Sequence, residues 1–378
     1  MEKRFFPRIG KEVSLLGFGC MRLPLLEPPK QDIDYPLAEA MIDKAVAMGV
    51  NYFDTAWAYH DEKSEAFIGH ALRKYPRESV YLANKLPIWL VQSPEDVDRL
   101  FLEQLDRCQV SYFDFYLIHA LDNERYGIHE RHGVYEALRR KKEQGCIKHL
   151  GFSFHATAGL LETIVTDHQW DFVQIQLNYV DWDMCDAKSL YGILAERNIP
   201  VVVMEPVRGG ALATLNDKAV DILKTADPEA STASWAIRYA ASLPNVMTVL
   251  SGMSTMEQVE DNLKTMADFH PLAASEYAVI EKAAAAYRES GAIPCTACRY
   301  CMDCPSGVDI PRVFAVYNHY CVNKRWIQFN NNYKALQEEE QAHNCVACNV
   351  CVEQCPQKID IPGQMRMIVE FVDKKGKI

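Results

Sequence analysis

The stretch Asn51-Tyr52-Phe53-Asp54-Thr55-Ala56-Trp57-Ala58-Tyr59 reads as a short buried strand that ends in an acid and runs into a loop carrying a tyrosine. A strand end holds loop residues in fixed positions, which suits ligand chemistry. A buried strand followed by an incidental loop is the plainer reading of this segment taken alone, and the neighbouring sequence decides between the two.

Working outward, strand-like runs at Leu15–Met21, Val80–Lys85, Phe115–His119, His149–Phe154, Phe172–Leu177, Val201–Glu205 and Met247–Gly252 join Tyr52–Asp54. Amphipathic helical patterns separate them, at Leu37–Met48, Ser64–Lys74, Pro94–Cys108, Gly133–Gln144, Ala187–Arg197, Ser231–Ser242 and Met256–Met266. Gly49, Gly145 and Pro200 stand where such helices should stop. Strands alternating with helices over about 250 residues predict an α/β chain folded as a (β/α)8 TIM barrel. An open doubly wound sheet is the weaker alternative, because no G-x-G-x-x-G turn follows an early strand. Lys3 to Ser14 should form a hairpin ahead of the barrel.

At 378 residues there is room for a barrel and an appendage. The expected division is a barrel over 1–270, a helical bridge over 271–293 and a small, mainly α-helical, cysteine-rich domain over 294–378. The net charge of -11, with no basic stripe to offset it, argues against nucleic acid. No leader pattern or membrane-spanning apolar run is visible, so the expected location is cytoplasmic, with no membrane partner.

In a parallel barrel the strand ends face one mouth. They carry Cys20 and Met21, Asp54 and Tyr59, Lys85, His119, Ser153, Gln174, Met204 with the loop after it, and Gly252. Over residues 13 to 270 this set resembles the aldo-keto reductases, barrels that reduce carbonyls with a nicotinamide cofactor through an Asp, Tyr, Lys, His tetrad. The resemblance puts the tetrad on Asp54, Tyr59, Lys85 and His119. It implies interconversion of a small carbonyl (aldehyde or ketone) and its alcohol, with Tyr59 as general acid in reduction and general base in oxidation.

The chemistry supports those types. Hydride addition to a carbonyl leaves an alkoxide that needs a proton, and a free tyrosine, with a pKa near about 10, is a slow donor. A lysine ammonium is expected to lower that pKa, an aspartate to fix the lysine, and a histidine to hold the substrate oxygen.

The resemblance also implies an NAD or NADP site. Cys20 and Met21 would lie near the cofactor, and Ser153 and Gln174 would hold the carboxamide, although Phe154 replaces the usual asparagine. Met204 takes the place of a stacking aromatic, where a thioether can still pack on a ring. Pro206, Val207 and Gly209 resemble a loop over the pyrophosphate, with glycines letting backbone approach phosphate. Gly252, Gln258, Asp261 and Asn262 resemble an adenosine site. Gly252 and Gln258 stand where NADP-preferring relatives carry Lys and Arg, and without those cations a 2'-phosphate loses its charge-assisted bonds, so the resemblance leaves NAD and NADP both open.

Thirteen cysteines include two clusters near the C-terminal end. Cys295, Cys298, Cys301 and Cys304 precede Pro305; Cys345, Cys348, Cys351 and Cys355 precede Pro356. The second set is the bacterial ferredoxin pattern C-x2-C-x2-C-x3-C-P, and the first is one residue shorter. The flanking Val308-Asp309-Ile310-Pro311 and Ile359-Asp360-Ile361-Pro362 make the halves an internal repeat. Two 4Fe-4S clusters are expected. In two-cluster ferredoxins the fourth cysteine serves the other cluster, which would pair Cys304 with the second set and Cys355 with the first. Structural zinc is the alternative, but it typically uses two separated cysteine pairs. The whole chain resembles a branch of aldo-keto reductases with a C-terminal ferredoxin-type module.

Two other functions compete. One is an electron-transfer protein passing electrons between nicotinamide and a ferredoxin-like redox partner through its clusters. The other is a non-enzymatic scaffold, against which the intact tetrad argues.

Overall fold

The structure, a computed structural model, describes residues 1–27, 32–302 and 304–376. Strands β1 (Lys3–Phe6) and β2 (Lys11–Ser14) form the antiparallel hairpin. Eight strands then close a barrel: β3 (Leu16–Gly19), β4 (Tyr52–Asp54), β5 (Tyr81–Leu86), β6 (Phe113–Leu121), β7 (Ile147–Phe154), β8 (Phe172–Gln176), β9 (Val201–Met204) and β10 (Val246–Gly252). Each strand pairs in parallel with the next, and β10 closes the ring on β3. All eight expected strands are present, because long runs of Val, Ile, Leu and Phe covered on both faces leave few other foldings.

Tyr52, Ala83, Phe115, Leu117, Phe172, Val202 and Met247 fill the barrel, and Ile9 and Val13 of the hairpin pack onto that cluster. The hairpin is tied to β4 where Ser14 N donates to Asn51 Oδ1 at 2.8 Å. The interior is therefore a packed core, and chemistry is left to the strand ends.

Helices fall where start signals put them. Asp34 accepts from Leu37 N to open Tyr35–Ala47, and Ser93 with Asp96 makes a capping box for Pro94–Arg107. A helix at Ala158–Asp167, between β7 and β8, has no counterpart among the predicted helices. Its run Thr163-Ile164-Val165-Thr166 is β-branched and weak in helix propensity, and burial of Leu161, Ile164 and Val165 overrides that preference.

The chain divides into two compact units, residues 1–206 with 236–272, and residues 207–235 with 273–378. This division differs from one at residue 270, since 207–235 joins the C-terminal unit. Inside that unit Asp217–Ala226 packs with Ala274–Arg288, where Asn216 Nδ2 donates to Ala286 O at 2.8 Å. Helices Ile310–Asn323, Trp326–Lys334 and Ile361–Gly376 enclose its core of Val313, Phe314, Phe329, Ile361, Met365 and Ile368. Among the described residues no helix is long and apolar enough to cross a membrane.

Candidate functional site

Asp54 ends β4, Lys85 lies in β5, His119 in β6, and Tyr59 on the loop after β4. All four are buried, Lys85 completely. The Lys85 ammonium donates to Asp54 Oδ1 at 2.6 Å, Thr55 O at 2.8 Å and Tyr59 Oη at 3.3 Å. Its three donors are thereby all directed. An ammonium only donates, so the Tyr59 oxygen accepts at this contact and its own proton points elsewhere.

The loop is held by unusual backbone. His60, Asp61 and Glu62 all have positive φ (53°, 51° and 66°), costing about 1–2 kcal/mol per residue. His60 Nε2 accepts from Leu23 N at 3.1 Å, which pins this turn beside Tyr59. No glycine marks the turn in the sequence, so it was not legible there.

Sequence reasoning expects Lys85 to lower the Tyr59 pKa. In the structure burial decides: burial, then the charges of Asp54, Glu205 and Cys20, push the phenol well above its ordinary value, and the opposing cation is Arg22. Tyr59 is thus a protonated phenol at neutral pH. Burial, then Lys85, His155 and Arg125, hold His119 well below the usual histidine range, so its imidazole is neutral. Asp54 is raised by burial, against the pull of Lys85. Cys20, fully buried, is raised by burial and by Asp54 and is a thiol.

His119 is aimed by a defect in the sheet. The β6–β7 register shifts between Ile118 and Leu121, Ala120 takes a φ of 55°, and Ala120 N donates to Ser153 Oγ at 2.7 Å. The His119 ring then stands edge-on to Tyr59, centroids 6.1 Å apart, and against Trp89 at 5.2 Å. Behind Lys85, buried Glu65 accepts from Asn84 Nδ2 at 2.8 Å and Gln104 Nε2 at 2.6 Å, and Gln104 Nε2 also reaches Lys85 O at 3.0 Å. Glu65, Asn84 and Gln104 were not singled out from sequence, because single polar residues inside helices and strands look like surface positions.

The expected cofactor residues divide between the two units. Cys20 and Met21 open the turn after β3, Ser153 lies in β7, Gln174 in β8, Met204 at the end of β9, Pro206 just beyond, and Gly252 at the end of β10 beside Gly19. Gln174 Nε2 rests on Met204 Sδ at 3.5 Å, and its buried Oε1 has no hydrogen-bond partner among the described residues. A buried amide oxygen open to a donor fits a carboxamide NH2. Gln258, Asp261 and Asn262 lie in the helix Met256–Ala267. Gln258 Oε1 accepts from Ser254 N at 2.8 Å in the loop after β10, and Asn262 Nδ2 donates to Ser251 Oγ at 2.8 Å, tying the middle of the helix to β10. Arg22 pairs with Glu205 at 3.3 Å, a contact that sequence reading missed. Val207 and Gly209 belong to the C-terminal unit, where Gly209 lies against Thr296 of the first cysteine loop.

The cysteines form two groups. One cavity, with about 310 Å³ of empty volume including its open side, is lined by Cys295, Cys298, Cys301 and Cys355. A second of the same size is lined by Cys304, Cys345, Cys348 and Cys351. The fourth cysteine of each run therefore faces the other run's cavity. The backbone repeats as well: Ala297 and Arg299, and at the same offsets Ala347 and Asn349, have positive φ (53°, 66°, 54° and 65°). Such alternating turns direct N–H groups inward, as where Ala297 N donates to Cys295 Sγ at 3.4 Å. Burial first, then Cys298, Cys295 and Cys355, push the Cys301 thiol up to about 12. Thiolates so placed need bound cations to offset their charge, which fits iron.

The sequence matches the model of the "Aldo/keto reductase family" over residues 15–285 and that of a "4Fe-4S dicluster domain" over 294–360. It is 30% identical over 210 residues to "Probable aldo-keto reductase 1" of Glycine max, covering 53% of this chain and 58% of that protein. It is 26% identical over 300 residues to "L-galactose dehydrogenase" of Arabidopsis thaliana, covering 72% of this chain and 90% of that one. Among solved structures, an aldo-keto reductase of Bacillus halodurans in its holo form superposes with a TM-score of 0.62 at 26% identity, over 75% of this chain and 96% of that one.

Proposed function

This chain belongs to the aldo/keto reductase family and carries a C-terminal 4Fe-4S dicluster domain, and from that premise we propose that it is an NAD(P)-dependent oxidoreductase interconverting a small carbonyl compound and its alcohol. The observation that carries the proposal is the hydrogen bond from Lys85 Nζ to Tyr59 Oη, which leaves the phenol proton free to be given away.

When bound, the nicotinamide supplies or accepts the hydride at the substrate carbon. Ser153, Gln174 and Met204 would hold its ring end, and Gly252, Gln258, Asp261 and Asn262 its adenosine end. In reduction the carbonyl oxygen sits between Tyr59 and His119. Neutral His119 donates a hydrogen bond that strengthens as negative charge develops on that oxygen. Tyr59 Oη gives its proton to the same oxygen, completing the alcohol, and the phenolate formed is stabilised by Lys85, itself held by Asp54. Oxidation runs the same steps backward. Trp89 against His119 makes one wall of the substrate pocket apolar.

The cysteine sets would hold one 4Fe-4S cluster each, through Cys295, Cys298, Cys301 and Cys355, and through Cys304, Cys345, Cys348 and Cys351. A second reading, one-electron exchange with a ferredoxin-like partner, draws on the exposure of Cys348 between Val346 and Val350, 69% and 45% exposed. Against it, nicotinamide moves two electrons at once, clusters move one, and no flavin motif is evident to split the pair.

One anaerobic experiment separates the readings: NADH and NADPH oxidation against a carbonyl panel and against viologen dyes, in wild type, Tyr59→Phe and Cys351→Ala. Carbonyl turnover lost in Tyr59→Phe supports the first reading. Dye reduction lost in Cys351→Ala, without carbonyl turnover, overturns it in favour of the second.

A further inference from the structure

His129 and Glu130 close the helix Asn123–Arg131, and His168 follows the helix Ala158–Asp167. His129 is 1% exposed, yet neither ring nitrogen has a hydrogen-bond partner among the described residues. Buried imidazoles are normally satisfied, so a ring with no aligned hydrogen bond, and with only the Glu130 carboxylate near its Nε2, calls for a ligand. His129 Nε2 is 3.2 Å and His168 Nε2 3.6 Å from the same oxygen, Glu130 Oε1. One donor atom from each of the three lies within 4.8 Å of the others. Bonds of about 2.0–2.2 Å from a tetrahedral ion give ligand-to-ligand edges of about 3.3–3.6 Å, so one measured edge falls in that range and the other about 0.1 Å below it.

The surroundings hold this arrangement. Tyr135 stacks on His168 at 4.1 Å and 12°, and Tyr126 stacks on His129 at 5.4 Å and 24°. Tyr126 Oη donates to Asp167 Oδ2 at 2.8 Å, which keeps the helix ends together. Glu130 adds one negative charge, and its 53% side-chain exposure leaves a side open to water.

We propose that His129, Glu130 and His168 bind a divalent first-row transition ion of the zinc type, with water as fourth ligand. The two imidazoles and a carboxylate suit such an ion better than calcium or magnesium, which prefer oxygen. The site is separate in sequence and ligand type from the cysteine sets, and it does not depend on the activity proposed above.

The test is equilibrium dialysis of the anaerobic, cluster-loaded protein against zinc, with zinc and iron counted per chain, in wild type, Glu130→Gln and His168→Gln. Glu130 is exposed, so Glu130→Gln leaves the packing in place, and circular dichroism checks the fold of His168→Gln, whose ring is partly buried against Tyr135. The expected result is one zinc per chain in wild type, with affinity weakened more than about tenfold in each variant and iron content unchanged. No zinc bound at about 100 μM free ion, or equal binding in wild type and both variants, overturns the proposal.

Discussion

Gly209 and Thr296 approach so closely that a Cβ on Gly209 would stand 2.3 Å from the Thr296 carbonyl oxygen, and Gly209 also takes a φ of 62°. Thr296 lies between Cys295 and Cys298, so this glycine supports the first cysteine loop. The sequence reading gave the glycine to pyrophosphate; the close approach supplies a reason for it inside the C-terminal unit. Gly209→Ala should cost more than about 1 kcal/mol of stability and lower the iron content, measured by denaturation and iron analysis. Unchanged iron and stability would show that the loop yields to a methyl group.

Tyr59→Phe removes the proposed proton donor and keeps the ring. Carbonyl reduction should fall by about 10²–10⁴-fold, while nicotinamide binding, followed by fluorescence, stays within error.

The direction of the Tyr59 shift sets a pH dependence. Because burial raises the phenol, it stays protonated through neutral pH, and reduction should be flat across roughly pH 6–9. Oxidation needs the phenolate and should rise about tenfold per pH unit over the same range. Since His119 is held neutral, no step near pH 6.5 should appear in either profile. A step there that vanishes in His119→Gln would contradict the neutral imidazole.

Cys304→Ala and Cys355→Ala distinguish crossed from sequential ligation. With crossing, Cys355→Ala weakens the cluster held by the Cys295 run and Cys304→Ala the one held by the Cys345 run. Each variant should drop from about eight irons per chain toward about four, and the two should leave different electron paramagnetic resonance spectra.

Lys85→Met leaves the Asp54 carboxylate buried without its cation, which should cost about 3–5 kcal/mol at neutral pH. Without Lys85, the folded pKa of Asp54 lies further above its unfolded value. The stability lost should therefore be least in acid and grow as pH rises above about 4. Urea denaturation at two pH values would measure it.

The barrel was legible because a strand buried on both faces writes a continuous apolar run, and such runs separated by helical periods close in one way. The cysteine spacing was equally plain, since a cluster needs its thiolates on one short loop. The polar bed of Glu65, Asn84 and Gln104 was not, because burial of a lone polar residue is decided by neighbours distant in sequence. The left-handed turn His60-Asp61-Glu62 carries no glycine to announce it, and the Ala120 bulge arises only when β6 meets β7.

Sequence alone therefore determined which residue types are available and on which strand ends they fall: Asp54, Tyr59, Lys85, His119 and the two cysteine runs. Tertiary structure decided what those groups are. Burial left Tyr59 a protonated phenol where the sequence suggested an acidified one, and the register shift at Ala120 set the direction of His119. The physical reason is that proton affinity and side-chain direction depend on solvent exclusion and on distances through space, which spacing along a chain does not specify.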